Sequence, residues 1–360
     1  MQKQHKLSLF SAILVNINIM LGTGVFINTV LLSRASGTWG AGLYVIAAAI
    51  MLPLILCIAQ LTRTHPGGSF YTYGATIHPF WGFISSWSYF VGKLASAALG
   101  IHVFSMFMQD VIPALELIPI LALDSCMVLF FVGLNLLHVQ AGSTIQGVFL
   151  ITKLTPIFCV IFYGFHSLQK ITIHTPQHIW RNLPIALPLT LFCCLGFEAT
   201  CSLAQHIEDS KRNAARAILI SFGIVITLAI LYQTFFSLTL GTILAQQSDY
   251  TEALPVFFHR VTPEFARMLI PLTSIAIAMS ALGGAYGIMY SNLWNLFALA
   301  QHKHLLGSSF LKRRNRHEIP YICVFIEGAL CLLHLFFSYG SQIPLQYTST
   351  LGCLTAYTIS

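Results

Sequence analysis

Charge is the scarcest property of this 360-residue sequence, because only 8% of its residues are Asp, Glu, Lys or Arg. Hydrophobic residues make up 56% of the chain, and the mean hydropathy is +0.77. A globular domain with so few charges could not cover its surface with polar groups, so the long apolar runs are expected to face lipid. The sequence therefore excludes an ordinary soluble domain and indicates a protein that crosses a membrane several times.

Paired cysteines and metal-ligand motifs are also missing from the sequence. The nine cysteines are an odd number without ligand spacing, and we interpret them as small packing residues. The fourteen histidines suggest a membrane enzyme as an alternative. Only His102 and His334 lie clearly inside apolar segments, however, and no two histidines share a helix with a carboxylate at ligand spacing. We therefore expect no metal site, no cofactor and no enzymatic activity.

The apolar runs are long enough to form membrane-spanning helices. Windows of about 20 apolar residues predict spans near residues 8–32, 40–61, 81–108, 119–137, 144–166, 184–206, 216–241, 267–300 and 319–337. A tenth span begins near residue 346 and is cut off at Ser360. The runs do not alternate every second residue as barrel strands do, so the sequence predicts an all-α multispanning membrane protein. The first run has no cleavage site, and we expect a retained helix rather than a signal peptide.

The distribution of basic residues predicts the topology. If the N-terminus lies in the cytoplasm, the larger share of the Lys and Arg residues falls on the cytoplasmic side. Topology thus explains the net charge of +7 better than a nucleic-acid partner does. The basic run at residues 312–316 would suit anionic membrane lipid, but orientation of the chain is the simpler interpretation.

Two apolar segments are interrupted by glycine at corresponding points of the two halves of the chain. Residues 22–24 (Gly-Thr-Gly) interrupt the first span, and residues 196–198 (Gly-Phe-Glu) interrupt the sixth. A broken helix frees N–H and C=O groups, which hydrocarbon penalises unless the gap lines a polar cavity. Paired breaks of this kind are the best sequence pointer to the binding site of a transporter. We therefore expect a polar ligand to bind there.

Five motifs resemble those of the amino acid–polyamine–organocation (APC) permeases, in the same order and spacing. They are Gly-Thr-Gly-Val-Phe at 22–26, Pro-Gly-Gly-Ser-Phe-Tyr-Thr-Tyr at 66–73 with Pro-Phe-Trp-Gly-Phe at 79–83, Leu-Ile-Thr-Lys-Leu at 150–154, Gly-Phe-Glu-Ala at 196–199 with Glu-Asp-Ser-Lys-Arg-Asn at 208–213, and Ser-Ala-Leu-Gly-Gly at 280–284. Each motif alone is weak, but five in register are hard to obtain by chance. By this resemblance the chain is identified as an amino acid permease or antiporter of that superfamily.

The resemblance implies a leucine-transporter (LeuT) type fold with five-plus-five inverted repeats and discontinuous helices one and six. It implies a single transport domain over residues 1–360, with the first repeat at about 8–166 and an incomplete second repeat at about 184–360. Members carry amino acids or amines by proton-coupled symport or exchange, so we expect an amino acid substrate, H⁺ as coupling ion, and the inner membrane of a bacterium. Relatives usually have twelve spans. A truncated, transport-inactive remnant or sensor is therefore the alternative, and the sequence leaves the oligomeric state open.

The resemblance also implies a substrate site at the two breaks. The backbone N–H groups around Thr23 and Gly24, beside Gly22, would hold the substrate carboxylate at the positive end of a half-helix. The carbonyls near Leu195 and Gly196 would take the α-ammonium group. The alternative is that the two glycines of the first break form a small-residue packing patch.

Four further residues receive roles from the same resemblance. Phe192 would be an aromatic lid, or a plain packing residue. Glu198 would couple protonation to opening, or cap freed N–H groups of the second half-helix. Lys153 would stand where sodium-driven relatives bind a cation. Lys93 would face the substrate side chain and disfavour a cationic substrate, which favours a neutral or acidic amino acid. The alternative for Lys93 is a pair with an internal carboxylate or a snorkelling side chain.

Overall fold

The structure is a computed structural model that describes residues 8–65, 69–136, 139–167, 173, 179–203 and 207–360. The described residues form helices joined by short connections, without a strand among them. The helices are α1 (Leu9–Met20), α2 (Gly24–Ser36), α3 (Gly40–Thr64), α4 (Phe70–Ala75), α5 (Pro79–Val111), α6 (Ile120–Asn135), α7 (Val139–His166), α8 (Ile179–Cys193), α9 (Ala199–Leu203), α10 (Ser210–Leu240), α11 (Thr242–Gln246), α12 (Tyr250–Val261), α13 (Pro263–Gln301), α14 (Ser308–Leu311), α15 (Tyr321–Ser338) and α16 (Gln342–Ile359).

Several of these helices are long and apolar enough to cross a membrane. Within the described residues they are α5, α10, α13, α15 and the continuous stretch formed by α2 and α3. The predicted spans match helices to within a few residues, and spans one and six are each split in two, as α1 with α2 and α8 with α9. The prediction of an all-helical, multispanning membrane protein is therefore confirmed.

The short helices between the spans were not predicted. Among them, α12 is amphipathic and begins at a capping residue, because the Asp249 side chain accepts hydrogen bonds from the N–H groups of Thr251 and Glu252. Such a segment is too short and too polar to stand out in a window of about 20 apolar residues. The motif at 66–73 is described from residue 69 onward and forms α4, in which the Tyr71 ring stacks on His302 at 4.1 Å.

The centre of the protein is built on α5 and α13, which pack against each other along much of their length. Small residues allow this close approach: a Cβ added at Gly100 of α5 would lie 3.0 Å from the carbonyl oxygen of Ala281 of α13. On another side α5 packs against α16, and a Cβ at Gly92 would lie 3.0 Å from the carbonyl oxygen of Ser349. The broken segments α1/α2 and α8/α9 lie beside this centre.

Candidate functional site

The two helix breaks lie in direct contact with each other. Helix α1 ends at Met20 and α2 begins at Gly24, while α8 ends at Cys193 and α9 begins at Ala199. Gly196 has a φ of +110°, and a Cβ added there would lie 3.1 Å from the Cα of Met20. Only glycine combines this backbone conformation with so close an approach. The breaks predicted from the sequence therefore form one local structure.

Asn16 of α1 ties the first helix to the second break. Its Nδ2 donates to the carbonyl oxygen of Phe197 at 3.1 Å and to Ser221 Oγ at 3.1 Å, and its Oδ1 accepts from the Thr200 N–H at 3.1 Å. The side chain is fully buried and satisfies backbone groups that the break has freed. Sequence reasoning missed this residue, although an amide inside an apolar helix was the signal that could have found it.

A cavity opens beside the breaks, between them and the central helices. It is lined by Ile19, Met20, Gly22, Thr23, Gly24, Phe192, Cys193 and Leu195 from the broken segments, by Lys93, Ser96 and Gly100 from α5, and by Ala281, Gly284, Ala285 and Ile288 from α13. Every residue predicted to bind substrate lines this cavity except Gly196. Gly196 instead lies with its backbone against α1. The structure thus brings six of the seven predicted residues together at one cavity.

The first turn of α2 carries hydrogen-bond donors. The hydrogen bonds that open this helix run from the N–H groups of Phe26 and Ile27 to the carbonyl oxygen of Thr23, at 3.0 and 3.1 Å. The backbone N–H groups of the residues that precede Phe26 lie at the start of the helix, where no carbonyl group of a preceding turn is available to accept them. A helix N-terminus has a partial positive charge and is suited to bind a carboxylate.

The end of α8 carries acceptors. The carbonyl oxygens of Phe192 and Gly196 accept backbone hydrogen bonds after the last regular turn, whereas among the described residues no backbone hydrogen bond ends on the carbonyl oxygens of Cys193, Cys194 and Leu195. The final carbonyl groups of a helix lack intrahelical partners and carry a partial negative charge. One end of the cavity therefore favours an anion and another favours a cation.

The two glycines of the first break differ in their surroundings. A Cβ at Gly24 would lie 2.7 Å from Phe192 Cδ1 and 2.8 Å from Cys193 Sγ, so α2 approaches α8 closely at this point. A Cβ at Gly22 would meet nothing closer than the carbonyl oxygen of Ile19, at 3.9 Å. Gly24 therefore lines the cavity and also serves in helix packing, whereas Gly22 has room for a small side chain.

Lys93 and Glu198 form a buried ion pair at the edge of the cavity. The Nζ of Lys93 lies 2.5 Å from Oε1 of Glu198, and both residues are at most 4% exposed. Oε1 also accepts a hydrogen bond from the Tyr89 hydroxyl at 3.0 Å, and Oε2 accepts one from the Gly196 N–H at 2.8 Å. The internal carboxylate partner for Lys93, which the sequence left open, is therefore present. Glu198 also satisfies a backbone N–H of the second break.

Lys153 contacts the first broken segment from α7. Its Nζ donates to the carbonyl oxygen of Asn18 at 2.5 Å, two residues before the end of α1, and the side chain is fully buried. Within the described part of the chain, no carboxylate lies within ion-pair distance of this ammonium. Lys153 therefore holds the chain just before the break through a single backbone contact.

A second cavity, of about 320 Å³, lies further along α2 and α5. Its wall includes Ile27 and Leu99, the polar residues His102, Asp249 and Gln342, and the turn between α15 and α16. Nδ1 of His102 lies 2.7 Å from Oδ2 of Asp124, which is fully buried in α6. This cavity has a larger volume than the first and lies on the side of the breaks toward which α2 extends.

Paired helix breaks that meet at a cavity, in a protein with several membrane-length apolar helices, are the arrangement of a membrane transporter. The chain belongs to the amino acid permease family, which it matches over residues 7–359. It is therefore an integral membrane protein of a transporter family.

Individual relatives in this comparison share between 22% and 25% of aligned residues with the chain. An uncharacterized transporter of Mycobacterium tuberculosis is 24% identical over 339 residues, which cover 91% of this chain and 72% of that protein. The serine/threonine exchanger SteT of Bacillus subtilis is 25% identical over 355 residues, covering 93% and 77%. The branched-chain amino acid permease BcaP of the same organism is 22% identical over 391 residues, covering 99% and 79%. SteT and BcaP are both named as transporters of amino acids.

Proposed function

We propose that the chain is a secondary active transporter of neutral amino acids, coupled to protons by symport or working by exchange. One observation carries this proposal: the donor-rich start of α2 and the acceptor-rich end of α8 face the same cavity. An amino acid is a zwitterion, so a site with one anion-binding and one cation-binding helix end suits its invariant part.

The substrate carboxylate binds at the N–H groups around Thr23 and Gly24, where the helix start substitutes for water. The α-ammonium group binds at the carbonyl groups near Leu195, whereas Gly196 lies outside the cavity wall and its carbonyl oxygen already accepts from the Ala199 N–H. Phe192 packs against Gly24 and closes the site over the bound substrate. These contacts use backbone groups, so they recognise any α-amino acid and leave selectivity to the rest of the cavity wall.

The charge balance of the wall favours a neutral side chain. Lys93 would repel a cationic substrate if it were free, but its charge is compensated by Glu198 at 2.5 Å. The remaining wall of α5 and α13 is formed by small or apolar residues, namely Ser96, Gly100, Ala281, Gly284, Ala285 and Ile288. The names of SteT and BcaP, which refer to neutral amino acids, agree with this proposal.

The fold that suits this function is the LeuT type. We assign the first repeat to about residues 8–166 and the second to about residues 184–360, because each of these stretches opens with a broken helix. In such a fold the two broken helices move relative to the surrounding helices, so that the site opens to one side of the membrane at a time. The N-terminus then lies in the cytoplasm, on the side favoured by the basic loops.

Two buried charges are positioned for proton coupling. Protonation of Glu198 would weaken its contact with Lys93 and release the Gly196 N–H in the second break. Loss of the proton from Lys153 would remove its charge-assisted contact with the Asn18 carbonyl, just before the first break. Each change acts on one broken helix, so protonation alters the stability of the closed site.

Uptake into proteoliposomes tests this function. The purified protein is reconstituted, and radiolabelled alanine, serine, leucine, glutamate and arginine are supplied with and without an inward proton gradient. We expect saturable uptake of at least one neutral amino acid and weaker uptake of arginine. Uptake of no amino acid, in either the gradient or the exchange format, would contradict the proposal, and binding without uptake would point to the sensor alternative.

A further inference from the structure

Glu327 of α15 is a buried carboxyl group that the proposed site does not use. It is fully buried, and neither of its carboxyl oxygens has a hydrogen-bond partner among the residues that the structure describes. Within the same residues, no Lys, Arg or His forms an ion pair with it. An unpaired carboxylate in the interior of a membrane protein is costly and marks a functional residue by default.

Titratable side chains lie near Glu327 on its own helix and on α6, which packs against it. On α15 itself, the buried residues Cys323 and Cys331 lie one helical turn to either side of Glu327. On α6, Asp124 is fully buried, and its Oδ2 lies 2.7 Å from Nδ1 of His102 of α5. A Cβ at Gly328 would contact the side chains of two α6 valines, which shows how closely α15 packs on α6 at this level.

The polar neighbour on α13 is Asn292. Its Nδ2 donates to the carbonyl oxygen of Phe90 at 2.9 Å, and its Oδ1 accepts from Nδ2 of Asn295 at 3.1 Å. An amide NH₂ group has two hydrogens and the bond to Phe90 uses one, so the other is available to a carboxyl group of α15, which packs on α13. Phe90 lies on α5 one turn before Lys93. Asn292 therefore connects the surroundings of Glu327 to the turn of α5 that carries the ion pair.

We propose that Glu327 is a proton-binding site of this protein, separate from the substrate cavity and connected to Lys93 through Asn292. The proton comes from water, forms an O–H bond on one carboxyl oxygen, and leaves to water again without any other bond being made. When the proton is bound, the buried group is neutral and needs no cation. When it has left, the charge attracts the free N–H of Asn292 and pulls on the α5 turn at Phe90.

The existence of the proton site does not depend on the transport function, whereas its connection to Lys93 rests on the proposed function. The two parts are tested separately. Infrared difference spectroscopy on the purified protein in lipid nanodiscs compares the carbonyl stretch of protonated carboxyl groups at low and high pH. We expect a band from a carboxyl group without strong hydrogen bonds, which is lost as the pH rises and which is missing in Glu327→Gln.

Matched variants assign this band. Glu318→Gln removes a carboxyl group whose side chain is 81% exposed and should leave the band unchanged. Asp124→Asn removes the other buried acid of this region and should also leave it in place. If Glu327→Gln fails to fold, Glu327→Met removes the acid at similar volume. The wild-type protein also gives a test by itself, because its band should still titrate when the spectra are recorded in heavy water. A band that is equal in wild type and both Glu327 variants overturns the proposal, as does a band that never titrates.

The connection to Lys93 has its own readout. Addition of a transported neutral amino acid should shift the Glu327 band in the wild-type protein, and Asn292→Leu should abolish that shift while keeping the band itself. A shift that survives in Asn292→Leu would overturn the connection. If no amino acid binds at all, the proposed function fails while the titrating band of Glu327 is still observed, so the two failures are distinguishable.

Discussion

Lys93 of α5 and Glu198 of the second helix break form an ion pair of 2.5 Å at the wall of the proposed substrate cavity. The pair joins a central helix to a broken one, and it leaves the cavity without a free charge on this side. Removal of one partner strands the other in a low-dielectric interior, which costs about 3–5 kcal/mol for a buried pair.

The first prediction therefore concerns Lys93→Asn. We expect a lower melting temperature, because Glu198 loses its cation, and no gain in affinity for arginine or lysine relative to neutral amino acids. A double variant, Lys93→Met with Glu198→Gln, should recover most of the lost stability. Melting curves and competition binding decide the point. A stable Lys93→Asn protein that has gained affinity for cationic amino acids would show that the ammonium acts on the substrate instead.

The second prediction uses the contrast between two glycines. Gly24→Ala places a Cβ 2.7 Å from the Phe192 ring and should weaken substrate binding by overpacking, at a cost of about 1–3 kcal/mol, which corresponds to about fivefold to a hundredfold. Gly22→Ala is the matched control, because its Cβ meets nothing within 3.9 Å. Scintillation proximity binding measures both variants. Equal substrate affinities of the two variants would show that the close approach of α2 to Phe192 at Gly24 does not affect substrate binding.

The third prediction concerns Lys153, whose ammonium contacts the Asn18 carbonyl. Lys153→Ala should insert into the membrane normally but should lose the response of uptake to a proton gradient, since the first break loses its charged contact. Lys211→Ala, on the exposed turn that begins α10, is the control and should respond as the wild type does. Proteoliposome uptake with and without the gradient is the measurement. A fully gradient-dependent Lys153→Ala protein would contradict the coupling role.

The fourth prediction concerns Asn16. Asn16→Ala leaves the carbonyl group of Phe197 and the N–H group of Thr200 without partners in a buried break, at a cost of about 1–3 kcal/mol for each group. We expect a lower melting temperature and weaker substrate binding together, because the two breaks lose their connection. Asn213→Ala, which removes an amide at the exposed start of α10, should change neither property. Loss of stability without any change in binding would make Asn16 a purely structural residue.

The helices and the two breaks could be predicted from the sequence because they depend on local properties. A run of about 20 apolar residues requires a helix in lipid, and Gly22, Gly24 and Gly196 weaken a helix wherever they stand. The same reasoning missed α12, whose amphipathic pattern is too short for a span.

The partners of the buried polar groups could not be predicted, because they lie far apart along the chain. Asn16 bonds to Phe197 across 181 positions, and the partner of Lys93 could have been any internal carboxylate. For Gly24, the sequence offered a binding role and a packing role. In the structure Gly24 lines the cavity, and a Cβ added there would also collide with Phe192, a combination that depends on the distance between two helices.

The central claim is that one cavity binds both charged groups of an amino acid through the two helix breaks. Equilibrium binding of three ligands to the purified protein tests it most directly: a neutral L-amino acid, its carboxamide, and the analogue that lacks the amino group. Hydrogen bonds to charged groups contribute about 1.5–3 kcal/mol, so each analogue should bind about tenfold or more weakly than the amino acid. Equal affinity for all three ligands would contradict the account.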